Sequence, residues 1–320
     1  MALLSLLSCQ SDPRARLFRD LDSTPAKNLR SYAFDGASTI LSRVQQAPDF
    51  VVNFWNNADG VTNYSVYMPT RAELRMIDDY ILKLPRRHKE VLQKRLIAIY
   101  FINNLRGSGV TDYVLDDKKD IYTVMVFNPD TLKTDLSRWL TYRENTCFVR
   151  SAPEIKIEIN CGTEFTGFLY ALTHEATHVV DYVEAYTPYI EKHIKIINET
   201  KTIETPFTKN AWVELATPLR PYDFQKRKEI VFYGNALPTI EISDAPRIYE
   251  QLITTPFVSL YGSMSWAEDL ADFVTFYHLT QILKQPYEIR YRKNPDQVRT
   301  FRPMESAKVK ERFSLMRDFY

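Results

Sequence analysis

The chain carries almost no net charge: 41 Lys and Arg against 40 Asp and Glu leave a formal +1, and the basic residues are spread along the length rather than clustered. Such a distribution gives no electrostatic footprint for nucleic acid as the main partner. No internal repeat and no low-complexity stretch is visible, which argues against a stacked-repeat architecture. No run beyond the N-terminus is long and apolar enough to span a bilayer. Glycine is scarce, 8 in 320 residues, whereas Tyr (20) and Phe (18) are abundant, a composition that suits rigid helices around an aromatic core. The length allows one large domain or two modest ones. With only 5 histidines in the chain, two that share a pattern are informative.

That pattern lies in the stretch TEFTGFLYALTHEATHVVDYVEA, from Thr163 to Ala185. It predicts one long amphipathic helix: Phe168, Leu169, Leu172, Ala176, Val179 and Val180 are apolar, and neither proline nor glycine follows Gly167. Within it stands His174-Glu175-Ala176-Thr177-His178, the HExxH spacing. Residues four apart on a helix lie about 40° apart around the axis and about 6 Å along it, so both imidazoles can converge on one ion. Two neutral imidazoles suit zinc, and Glu175 on the same flank can take a proton from the attacking water.

The opening MALLSLLSCQS resembles a bacterial lipobox at Leu6-Leu7-Ser8-Cys9, with Cys9 as the acylated residue. A full secretory signal would have a basic n-region and a longer apolar region, so residues 1–9 are expected to be a clipped lipoprotein signal. The polar, proline-containing stretch 10–30 is then a tether. Cys147 and Cys161 remain, flanking an expected hairpin with a turn at Ser151-Ala152-Pro153 and a strand at Ile155–Ile159. Either a disulfide in an oxidising compartment or two buried thiols fits that placement.

Further along, a short helix is expected at Ala37–Val44, with strands at Phe50–Trp55 and Val61–Tyr67. Thr70 and Glu73 have capping-box spacing ahead of Leu74, Ile77 and Ile81, and Pro85 ends that helix. A second helix begins near Arg87, the run IAIYFIN leads to a turn at Asn104–Gly109, and strands follow at Val110–Leu115 and Ile121–Phe127. Strands first and helices afterwards point to an α+β domain rather than alternating βαβ units. The segment 186–253 is broken by prolines and shows a clear helical turn only at Arg247–Ile253.

A catalytic zinc needs a third protein ligand. Glu184, six residues past His178, stands where a metzincin places its ligand, but Asp181 occupies the position where such a chain turns on glycine. The other candidate is Glu268 in SWAEDLADF, a helix that sets Glu268 and Asp272 four apart on one face. That like-charge pair is unfavourable unless Glu268 binds the metal and Asp272 holds the N–H of a ligand histidine. Ser265 and Glu268 also have capping-box spacing, which explains a first-turn acid without any metal.

HExxH followed by a helix bearing ExxxD resembles the gluzincin metallopeptidases. HEATHVVDY with YGSMSWAEDLADF is similar to the branch that contains the Pro-Pro endopeptidases and the lethal-factor-type catalytic domain, over roughly thirty residues in two blocks. In that branch a tyrosine of a Tyr-Gly pair lies seven residues before the ligand glutamate, as Tyr261 does before Glu268. The resemblance implies Zn2+ held by His174, His178 and Glu268, with Glu175 as general base, Asp272 behind a ligand histidine and Tyr261 as phenol donor to the oxyanion. His278 and Tyr277 are the alternative donors. The interval between His178 and Glu268 is longer than that branch has.

The expectation is therefore an α+β, zincin-like metallopeptidase fold. A small mixed sheet in an N-terminal αβ subdomain (31–162) is followed by the HExxH helix and a mainly helical C-terminal subdomain (163–320), forming one catalytic domain. The expected function is a zinc-dependent endopeptidase acting on peptides or proteins, extracytoplasmic and membrane-attached through Cys9. The alternatives are a non-catalytic binding lipoprotein with a protease-like domain, or a metzincin-like peptidase using Glu184.

Overall fold

The computed structural model describes residues 13–294 and 296–320; the expected lipobox and Cys9 lie outside them. The chain opens with α1 (Pro13–Asp22), three short 3-10 turns and α2 (Asp49–Asp59). After β1 (Ser65–Tyr67), helices α3 (Arg71–Lys83) and α4 (Arg86–Arg95) lead into β2 (Leu96–Asn103), β3 (Gly109–Leu115) and β4 (Ile121–Phe127). Then come α5 (Asp130–Lys133), α6 (Leu136–Asn145), β5 (Phe148–Val149), β6 (Lys156–Asn160) and the long α7 (Gly167–Glu184). The remainder comprises α8 (Lys192–Ile197), β7 (Trp212–Glu214), β8 (Thr217–Pro218), β9 (Ile240–Glu241), α9 (Ala245–Leu252), α10 (Trp266–Tyr277), β10 (Glu288–Asn294), β11 (Gln297–Phe301) and α11 (Ala307–Lys310). The class is α+β.

The main sheet has the order β1-β2-β4-β3, with β2 and β4 parallel and the outer pairs antiparallel. Its strands are apolar on both faces because both are covered. Ile99, Phe101, Tyr113, Met125 and Phe127 join the large core that includes Phe168, Leu169 and Leu172 of α7. Ile97, Tyr100, Ile102, Val114, Val124 and Val126 face a second core with Val51 and Val52 of α2. β3 is an edge strand, and it lies along α7.

The capping box at Thr70 forms as the spacing predicts: Glu73 N donates to Thr70 Oγ1 at 3.3 Å, and Thr70 N donates to Glu73 Oε2 at 2.7 Å. Other expectations are corrected. Phe50–Trp55 is not a strand but the middle of α2, which Gly60 ends in the left-handed region at φ 65°. Short apolar runs do not distinguish the two states by themselves. Ala37–Val44 forms only a 3-10 turn at Leu41–Arg43, held by the buried Arg43 guanidinium, which donates to the carbonyls of Leu92 (2.9 Å), Leu96 (2.6 Å) and Gln93 (2.9 Å) at the end of α4. Residues 13–30 are not a free tether: they form α1 and two turns, with Leu21 and Ala26 buried and Lys27 ion-paired to Asp112 of β3.

No hairpin links β5 to β6. β5 pairs with β9, and β6 pairs with β10, whose hairpin partner is β11. The C-terminal part thus contributes strands to a sheet shared with the N-terminal part, and it is less helical than the sequence suggests. Cys147 and Cys161 are both free and buried, which corrects the disulfide alternative. Among the described residues no helix is long and apolar enough to cross a membrane.

Candidate metal centre

Helix α7 is buried over nearly its whole length, between β3 and β4 on one side and α10 and α4 on others. His174, Glu175 and His178 occupy the stripe that faces α10 and β3. Helix α10 starts at Ser265, whose Oγ accepts from Glu268 N at 3.2 Å, so Glu268 belongs to the capped first turn as well as to the site. Asp269, the next residue, points away and anchors the helix: it accepts from Trp212 Nε1 at 2.9 Å and from Arg312 Nη2 at 2.8 Å. Trp266 N donates to Leu215 O at 2.9 Å and its indole to Tyr189 O at 2.6 Å. The proline-broken segment after α7 therefore does structural work in placing Glu268.

The geometry at the centre is compact. His174 Nε2 lies 3.2 Å from His178 Nε2 and 3.0 Å from Glu268 Oε2, and His178 Nε2 lies 3.6 Å from the same oxygen. Ligand atoms about 2.0–2.2 Å from a tetrahedral zinc stand about 3.3 Å from one another. Three lone-pair-bearing atoms at these separations repel unless a cation or a proton lies among them. Without a metal, burial alone would lower the His174 pKa, yet the hydrogen bonds to Asp272 and Glu268 outweigh it and raise the pKa to about 10. The donor set, two imidazoles and one carboxylate, fits zinc.

Behind His174 lies a network that fixes its ring. Asp272 Oδ1 is 2.9 Å from His174 Nδ1, which directs Nε2 toward the centre. The same carboxylate accepts from Tyr170 OH at 2.5 Å and from Ser259 Oγ, and Arg143 Nη1 stands 3.5 Å from its other oxygen. Burial would raise the Asp272 pKa, but the Arg143 guanidinium and the His174 and Ser259 hydrogen bonds hold it below the ordinary carboxylate value. His178 has no such anchor: its Nδ1 is buried and takes no partner among the described residues.

Glu175 accepts a hydrogen bond from Thr111 Oγ1 at 2.8 Å, and the same hydroxyl reaches the Glu175 carbonyl at 3.0 Å, tying α7 to β3. Burial raises the Glu175 pKa, against the pull of His174, His178 and Thr111. The close approach depends on Gly109, where a Cβ would meet Phe127 at 2.7 Å and Glu175 Cγ at 3.1 Å. Tyr261 lies outside α10, as Gly262 and Ser265 suggest, with its ring 5.7 Å from that of His174. The Arg143 guanidinium sits 5.3 Å from the Tyr261 ring. The Tyr261 hydroxyl makes no hydrogen bond to the protein among the described residues. A cavity of about 300 Å³ opens over His174, Glu175, His178, Glu268 and Tyr261.

His174, His178 and Glu268 are brought together as the candidate ligand set, with Glu175, Tyr261 and Asp272 around it. Glu184 is not: α7 continues straight through Asp181, and Glu184 ends in an ion pair with Arg87 at 2.6 Å. Asp181 instead caps the following turn, accepting from Thr187 N and Oγ1 at 2.6 Å each. Tyr277 and His278 do not line the cavity; they pack against Tyr320. Reading the sequence missed Arg143, Thr111 and Ser259. It also missed Tyr170, which lies one helical turn before His174 and was detectable from that spacing. No family model, curated protein or solved structure matches this chain.

Proposed function

We propose that the protein is a zinc-dependent peptidase of the gluzincin type, with a zincin-like catalytic fold. The reading is carried by one observation: His174 Nε2, His178 Nε2 and Glu268 Oε2 lie 3.0–3.6 Å apart, the spacing of three corners of a zinc tetrahedron. When bound, zinc supplies Lewis acidity, polarising the scissile carbonyl and lowering the pKa of the attacking water. Glu175, on the cavity side of α7, accepts the water proton and passes it to the leaving nitrogen. Tyr261, with its hydroxyl uncommitted, donates to the developing oxyanion. Asp272 holds His174 in the ligating tautomer, and Arg143 supports Asp272.

The substrate class follows from what lines the cavity. Gly109–Asp112 of the edge strand β3 form one wall, and their free edge can pair with an extended peptide. Glu175→Gln should leave one zinc per chain, measured by atomic absorption, while peptide hydrolysis falls by about 10²–10⁴-fold. Full turnover in that variant, or a purified protein with no affinity for zinc, defeats the proposal.

A further inference from the structure

The cavity over the metal centre is open at one end and closed at the other. β3 presents Gly109 and Val110 half-exposed, and Asp112 is its last residue to line the cavity. From Thr111 onward the strand's residues are buried, and Asn28 forms a parallel bridge with Leu115, so the N-terminal segment occupies the strand edge there. Lys27 of that segment pairs with Asp112 and lies 3.8 Å from the Tyr113 ring centroid. A peptide paired along this edge thus runs out of partner strand after Asp112. Past Gly109 the groove continues into a second cavity of about 170 Å³ lined by Trp55, Gly107, Tyr233 and Tyr261.

The closed end is acidic. Glu191 lines it and accepts from Tyr182 OH at 2.9 Å through Oε1, while Oε2 takes no hydrogen bond from the protein among the described residues. The ammonium of Lys27 hydrogen-bonds Asp112 and not Glu191, on which Lys27 and His193 act only through space. Among the described residues no Lys or Arg lines this cavity. A peptide antiparallel to β3 places its amino-terminal end at Asp112, where the wall and the free carboxylate oxygen both stand.

We propose that this end binds the ammonium group at the amino terminus of the substrate, with Glu191 as its acceptor, so that the protein hydrolyses peptides only a few residues from a free amino terminus. This rests on the peptidase reading above. The carboxyl-terminal side of the substrate extends toward the second cavity. A charge-assisted hydrogen bond of this kind is worth about 10- to 100-fold in kcat/KM.

The test uses the zinc-loaded full chain and a mixed peptide library, each peptide with a free or an acetylated amino terminus and cleavage sites mapped by mass spectrometry. Cleavage should cluster within the first few residues, acetylation should lower kcat/KM by about tenfold or more, and in Glu191→Gln the free and acetylated peptides should converge. Cleavage of acetylated peptides at sites that follow a lysine side chain assigns the pocket to that ammonium and overturns the amino-terminal proposal. Interior cleavage at equal rates in both forms overturns it outright. If nothing is hydrolysed, calorimetry with the same peptides separates the two readings. Tighter binding of free termini that depends on Glu191 keeps the subsite and removes the peptidase, whereas equal or absent binding removes both.

Discussion

The two sides of α7 place histidines in opposite electrostatic settings. On the cleft side, His174 and His178 face Glu268, and Asp272 stands behind His174. On the other, His88 Nε2 meets the Thr177 hydroxyl at 2.9 Å, which itself donates to Thr173 O at 2.8 Å, and His278 bonds the Tyr320 hydroxyl at 3.0 Å. Among the described residues no carboxylate hydrogen-bonds or ion-pairs with either ring. His88 is as buried as His174, yet burial, with His278 adding to it, lowers the His88 pKa to about 3. Burial likewise lowers His278 to about 4. Burial therefore excludes charge from His88 and His278, while Asp272 and Glu268 make His174 able to hold it. The motif's own Thr177 belongs to the structural side, so one turn of helix serves both.

Predictions that break or sharpen this contrast run from the cleft outward. Tyr261→Phe keeps the ring that packs on His174 and Phe232 and removes only the donor. Its kcat should fall by about 10²-fold or more, with zinc content and substrate affinity kept, in steady-state assays. Unchanged turnover would take the phenol out of the mechanism. Asp272→Asn should weaken zinc by about 10- to 100-fold in competition with a chromogenic chelator, because the amide removes the charge that orients His174. Equal affinity in the two proteins would show that the ring is held by packing alone.

The smallest effect belongs to the structural side and concerns pH. The folded pKa values of His88 and His278, about 3 and about 4, lie below the roughly 6.5 of an unfolded chain. Between those limits the unfolded chain binds protons that the folded protein refuses, so stability falls as pH drops from about 6.5, by up to about 1.4 kcal/mol per pH unit for each ring. In metal-free protein His174 has the opposite sign: its stabilisation is complete below about pH 6.5 and is lost as pH rises through about 10. Urea midpoints of His88→Gln between pH 7 and pH 4 should therefore decline less steeply than those of the parent. Parallel curves would mean that His88 does not contribute to the acid limb.

Much of the centre was legible because helical spacing is local geometry. His174 and His178 four apart, Glu268 and Asp272 four apart, and Ser265 as a cap each follow from 3.6 residues per turn. Legibility failed where partners are remote in the chain. Nothing in WLTYREN marks Arg143 as the cation that faces Asp272, and nothing in GVTDY marks Thr111 as the hydroxyl on Glu175. The run around Phe50–Trp55 was misread for a related reason. Val51 and Val52 are buried against the sheet formed by β2 and β4, and that tertiary surface selects helix over strand.

By itself the sequence determined the α7 motif, the capped start of α10 and the identity of the residues that can hold an ion, since each depends on neighbours within a turn or two. Only the tertiary structure decided that Glu268 rather than Glu184 lies beside the two histidines. That choice depends on where two separate helices cross. Arg87 claims Glu184 through an ion pair, while Trp212 and Arg312 pull Asp269 the other way and turn Glu268 toward His174. Such contacts join residues tens of positions apart, and their energies appear only once the chain has closed on itself.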